Sequence, residues 1–155
     1  MDYFWFSVKF ALLHTAVYTV AGALILGVSK EIYEGRGRLM DYVRDMSDEA
    51  ENRYVRRRVF PAQLVRGALM SLPLYVVFAS LSEMGFILRA LFLGGLAFVY
   101  THLSSASPSP DNIEGFVYLR ERYFQKSAFL KYQLEMVMYT ALFALLGSWL
   151  LFPAP

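Results

Sequence analysis

Four titratable side chains stand well inside apolar stretches of this 155-residue chain: His14, Arg66, His102 and Glu135. Removing such groups from water is costly, so each must be paired, hydrogen-bonded or put to use. Arg66 and Glu135 could form an ion pair that pins two helices together, with Lys131, one helical turn from Glu135, as its alternative partner. With Tyr100, Tyr132 and Tyr139 nearby, the same residues could instead make a proton- or ion-handling cluster or a headgroup site. His14 is the deepest of the four, on a helical face shared with Ser7, Ala11, Tyr18 and Gly22, and a neighbouring hydroxyl would satisfy it. His14 and His102 are the only histidines and lie at different depths, so haem bridging them within one subunit is not expected.

Other chemistry has no support in the residue pattern. The absence of cysteine rules out a disulfide framework, a thiol nucleophile and cysteine-based metal sites. No phosphate-binding glycine loop, no H-E-x-x-H and no G-x-S-x-G elbow is present. No catalytic residue, metal or cofactor is therefore assigned. Arg53, Arg56, Arg57 and Arg58 cluster just before an apolar run, which suits anionic lipid headgroups at about 1 kcal/mol per charge. Nucleic acid is a poorer partner, because seven acidic residues in 30–66 nearly offset nine basic ones.

The elements that must position these residues are apolar helices. Hydrophobic residues make up 57% of the chain and charged ones 18%, with a mean hydropathy of +0.39, too apolar for an ordinary soluble fold. A bilayer core takes about 20 apolar helical residues, and four stretches qualify, at about 4–28, 61–82, 85–102 and 129–152. The middle two are joined by a turn near Ser82–Gly85, Pro61 opens the second, and Pro153 and Pro155 finish the chain. The first stretch lacks the basic flank and cleavage site of a signal peptide and should stay in the mature protein. Pro73 should kink the second span and free a carbonyl near Leu69. The small residues Ala90, Gly94 and Ala97, Ala23 with Gly27, and Ala144 with Ser148 mark faces for close packing or self-association.

Of 15 Lys and Arg residues, 13 lie in the two long connections, which places both connections in the cytoplasm and both termini outside. Trp5 and Trp149 then share the outer boundary. Past Gly35 and Gly37, the spacing of Leu39, Met40, Val43 and Met46 predicts a short amphipathic helix, and Asp48 with Glu51 a capped start to another. These could cover the inner ends of the bundle, or the acidic block 41–51 beside the basic block 53–58 could dock a soluble partner. After Ser107-Pro108-Ser109-Pro110, the run Asp111–Gly115 reads as the start of an amphipathic helix that leads into the fourth span. Arg56–Phe60 and Arg120–Phe124 resemble each other, a hint of internal repetition.

Together these features predict one all-α integral membrane domain over 1–155, with four transmembrane helices and short cytoplasmic amphipathic helices, in the plasma membrane. The leading expectation for function is a non-enzymatic homo-oligomeric or accessory subunit that acts through helix packing and its cytoplasmic face. One alternative is a small oligomeric transporter or channel using His14, Arg66 and Glu135 for coupling. Another is a lipid-modifying enzyme at the inner headgroup level using His102 and Glu135.

Overall fold

The computed structural model describes residues 2–152, so Pro153 and Pro155 lie outside the described residues. Among them every regular element is helical. Helix α1 runs over Tyr3–Leu26, and the Asp2 side chain opens it by accepting from the Phe4 N–H at 2.9 Å. After a break at Gly27–Ser29 the chain makes one further turn, α2 (Lys30–Tyr33). Gly35, at φ 84°, then redirects it.

The helix expected over Leu39–Met46 does not form. The Leu39, Met40 and Met46 N–H groups instead donate to the carbonyls of Glu31, Ile32 and Tyr33. Folding back satisfies carbonyls at the end of α2, and Leu39 and Met40 pack by Ile32, Ala128 and Tyr132. Arg38 holds the loop from inside, donating to the carbonyls of Gly35 and Val43 at 3.1 and 2.9 Å.

Helix α3 (Glu49–Ser71) begins where the Asp48 cap was expected, with the Asp48 carboxylate accepting from the Glu51 N–H at 2.9 Å. It continues through Pro61, which is therefore mid-helix and does not start a separate span. Pro61 is exposed and removes only one ladder donor, and the capped first turns carry the helix past it. Pro73 does interrupt the segment: Leu72–Tyr75 is a 3-10 turn, followed by the short α4 (Phe78–Glu83). The Leu69 carbonyl is not freed, because the Leu72 N–H turns back to it.

Met84 and Gly85 form the expected turn into α5 (Phe86–Phe98), which passes into a π-helical turn over Val99–Leu103. The second connection holds a short helix, α6 (Ile113–Tyr118), and a 3-10 turn at Glu121–Tyr123 before α7 (Lys126–Leu150). No continuous amphipathic helix leads into α7. Arg56–Phe60 is mid-helix whereas Arg120–Phe124 is largely a 3-10 turn, so their likeness does not extend to structure.

Three stretches are long and apolar enough to cross a membrane: Tyr3–Leu26, Phe86–Leu103 and Lys126–Leu150. The segment around α3 and α4 holds no single helix of that kind, because its helix breaks at Pro73 and the first half of α3 is charged.

Helix α1 packs on α3 and on α7, and α7 packs on α5. Small residues set these distances. A Cβ on Gly67 would lie 2.7 Å from the Ala11 backbone, and one on Gly94 would lie 3.1 Å from the Ala144 side chain. Ala90, Ala97, Ala144 and Ser148 are buried along the α5–α7 contact, whereas Ala23 and Gly27 are exposed. Phe10, Phe143 and Leu93 fill the centre. One end is closed by the rings of Phe6, Phe78 and Phe152, with centroids 5.0–5.7 Å apart. Both long connections gather at the other end, tied together where the Tyr123 hydroxyl donates to Asp41 at 2.6 Å.

Candidate functional site

His14 lies at the centre of the bundle and is fully buried. Its Nδ1 is 2.6 Å from the Tyr139 hydroxyl on α7 and its Nε2 is 3.0 Å from Gln63 Oε1 on α3. With both nitrogens engaged, His14 joins three helices, and Gly67 provides the room for α3 to approach it. The hydroxyl partner expected for it is present.

Beside this cross-link, on the connection side, lies a cavity of about 240 Å³. Arg66, His102 and Glu135 all reach it, as does Tyr139, the partner of His14. Arg66 and Glu135 do not form the expected ion pair: neither has an oppositely charged side chain within bonding distance among the described residues. Lys131 turns away to pair with Glu31 on α2, so it is not the partner of Glu135 either. Glu135 instead accepts from the Tyr33 hydroxyl at 3.4 Å. Burial and the adjacent Glu135 carboxylate push the Tyr33 hydroxyl far above its ordinary pKa, which keeps it a donor.

The connections supply the remaining walls. Tyr33 and Met40 come from the first, Ser109 and Asp111 from the second. Asp111 is 2% exposed, and its Oδ2 lies 3.1 Å from His102 Nε2. Gln133 Nε2 is 3.3 Å from the same ring nitrogen and donates to the Asp111 carbonyl at 3.1 Å. The loop that carries Asp111 is tightly built. Asn112 caps α6 by accepting from the Gly115 N–H at 2.8 Å, and also accepts from the Ser109 N–H at 3.0 Å. A Cβ on Gly115 would fall 1.7 Å from the Ser109 carbonyl oxygen, so only glycine fits there.

Helix-start chemistry thus accounts for Asn112 and Gly115 but not for Asp111, whose carboxylate belongs to the cavity. Tyr132 is grouped with the cluster by the sequence, whereas Asp111 there reads chiefly as part of a helix start. Asp111 carried one signal, an acid fixed behind the rigid Ser-Pro-Ser-Pro run. The Tyr132 hydroxyl, buried on these walls, has no hydrogen-bond partner among the described residues, whereas Asp111 meets Ser109 Oγ at 2.6 Å with one oxygen and His102 Nε2 at 3.1 Å with the other. A buried donor left without a partner costs about 1–3 kcal/mol.

Arg53, Arg56, Arg57 and Arg58 stand apart from this cavity, on the exposed first half of α3. Arg53 pairs with Glu49 one turn back. Arg58 and Arg44 stack on opposing contacts with the Tyr54 ring, each 3.7 Å from its centroid. Arg56 and Arg57 remain exposed.

A second buried charge was also missed. Arg89 is 7% exposed and donates to the carbonyls of Ser148 and Phe152 at 3.1 and 2.7 Å, and to those of Ser82 and Met84. It caps the end of α7 and the end of α4 together, with the Phe152 ring 5.0 Å away. Comparison with protein-family models, with curated proteins and with solved structures gives no match to this chain.

Proposed function

We propose that this chain is an integral membrane protein that binds a polar, positively charged ligand in the connection-end cavity, at the level of the cytoplasmic headgroups. In this reading four segments cross the bilayer, the fourth crossing being the broken α3–α4 helix, with both termini outside. The 13-to-2 division of basic residues supports that orientation, and the gathering of both connections at one end of the bundle is compatible with it. The exposed Arg56 and Arg57 face anionic headgroups at the same level.

The observation that carries the ligand reading is the cavity itself, whose walls bring the Asp111 and Glu135 carboxylates together with the buried Tyr132 hydroxyl, which has no hydrogen-bond partner among the described residues. Asp111 and Glu135 put two carboxylates on the cavity wall against the one guanidinium of Arg66, which favours a cation beside them. Binding through helix packing alone, as an accessory subunit, has one specific support in the exposed Ala23–Gly27 pair.

The chain is free of cysteine, so single cysteines report topology cleanly. In sealed cells, an impermeant maleimide should label D2C and leave S47C unlabelled until the membrane is opened; the reverse pattern would overturn the orientation. Native mass spectrometry of the protein released gently from its membrane should show one defined small adduct, lost in D111N and E135Q. Equal adduct occupancy in both variants and the parent would sink the ligand reading.

A further inference from the structure

The polar cavity is continued by a second, apolar one. Helices α3, α1, α7 and α5 pack in that order, and α3 and α5 share no comparable contact. The seam between them holds a cavity of about 310 Å³, with Met70 and Leu74 on one side and Leu96, Ala97 and Tyr100 on the other. Thr101 lines both this cavity and the polar one. Its place follows from the π-helical turn at the end of α5, which carries Thr101 and His102 side by side. Arg66 is exposed, lines the polar cavity, and also lines an outward-facing groove on α3 that includes Met70. The guanidinium thus stands at a rim, while Asp111 is set fully inside.

That order of groups matches one kind of molecule. A guanidinium at the rim suits a phosphate, which it can hold bidentately. The inner carboxylates, Asp111 and Glu135, have lone pairs to offer a further donor beyond His102 and Tyr33, and the rings of Tyr18, Tyr132 and Tyr139 suit a cation beside them. A primary ammonium supplies three N–H donors and a quaternary one supplies none. No three His, Asp or Glu side chains converge as metal ligands among the described residues, so an organic cation fits these carboxylates better than a metal ion. An apolar seam beside the phosphate position suits a hydrocarbon chain.

We infer that the ligand is a lipid with a phosphate and a primary ammonium in its headgroup, which enters sideways between α3 and α5 and leaves a chain in the seam. The inference rests on the reading of the polar cavity as a ligand site. Its ammonium sits between Asp111 and Glu135, its phosphate against Arg66, and one chain runs past Thr101 toward Leu74. The same headgroup chemistry could arrive as a free phosphoryl amine from the aqueous side, and the test separates the two sources.

The full chain is placed in phosphatidylcholine nanodiscs doped with phosphatidylethanolamine bearing a diazirine in its acyl chain. Photolysis should label peptides containing Met70 and Leu96–Tyr100, and E135Q should reduce that labelling about tenfold or more. Met70→Trp and, independently, Leu96→Trp fill the seam and should abolish labelling. Soluble phosphoethanolamine should compete with the labelled lipid in the parent and still bind both tryptophan variants by native mass spectrometry, which also reports that they are folded. Phosphoethanolamine binding without labelling in the seam would overturn lateral entry and leave the polar site standing. Failure of both lipid and phosphoethanolamine to bind would overturn the site itself. Labelling unchanged by E135Q would overturn the headgroup assignment.

Discussion

The two ends of the bundle each enclose charge, and they dispose of it in opposite ways. At the end where α7 finishes, the Arg89 guanidinium is surrounded by four backbone carbonyls and the Phe152 ring. Those carbonyls belong to helix termini and the turn beside them, which need donors in any case, so one side chain solves several problems at once. At the connection end, Arg66, His102, Asp111 and Glu135 instead line an open cavity of about 240 Å³. Buried charge alone therefore does not distinguish a structural residue from a site residue. What distinguishes them is whether backbone carbonyls close around the charge, as they do at Arg89, or a cavity is left beside it, as at Asp111 and Glu135.

The sharpest way to break this comparison is Arg89→Met. It strips donors from buried carbonyls, and a loss of about 3–5 kcal/mol is expected, read as a fall in the denaturant midpoint in detergent micelles. Stability within about 1 kcal/mol of the parent would mean that the two ends do not differ as described.

Next in size is Gly115→Ala. The new Cβ must displace the Ser109 carbonyl, at a cost of about 1–3 kcal/mol. Because Asp111 rides on the same loop, lost adduct binding should accompany lost stability. Full binding by this variant would show that the loop does not position the site.

Asp111→Asn sharpens the contrast from the other side. Asn keeps the shape of the side chain and an acceptor oxygen for Ser109 or His102, so stability should fall by no more than about 1–2 kcal/mol while ligand occupancy collapses. A loss comparable to that of Arg89→Met would make Asp111 a structural residue.

The smallest effect belongs to Asp45, in the loop that covers the connection end. Hydrogen bonds from the Ser47 hydroxyl and the Gly35 N–H hold its pKa down to about 2. A lowered folded pKa means that its stabilisation is complete above the unfolded value of about 3.9 and disappears as pH falls toward about 2. Protection of the 34–48 amides, taken relative to intrinsic exchange at each pH, should therefore fall over that window in the parent, and Asp45→Asn should show the lower protection already at pH 7. A parent loop whose protection ignores pH down to about 2 would remove Asp45 from this role.

Much of the frame was legible because its causes are local. Long apolar runs gave the extents of α1, α5 and α7 to within a few residues, and Asp48 and Gly85 marked boundaries by their own chemistry. Ala90, Gly94 and Ala144 announced the α5–α7 contact by their size. The first connection misled for a physical reason: Leu39, Met40, Val43 and Met46 have helical spacing, but carbonyls at the end of α2 offered their backbone better partners. Opposite charge at similar depth made an Arg66–Glu135 pair look simplest, yet the two residues end up on different parts of a cavity wall.

What the sequence alone determined is the three long apolar helices α1, α5 and α7, the capped start of α3, and the confinement of nearly all basic charge to two connections. Those follow from side-chain size, polarity and capping within a few residues of each position. Only the tertiary structure decided that Asp111 meets His102 across 3.1 Å, that Arg89 closes the far end of α7, and that α3 and α5 leave a seam between them. Each of these joins residues distant in the chain, and their pairing depends on the packing of whole helices, which no local spacing encodes.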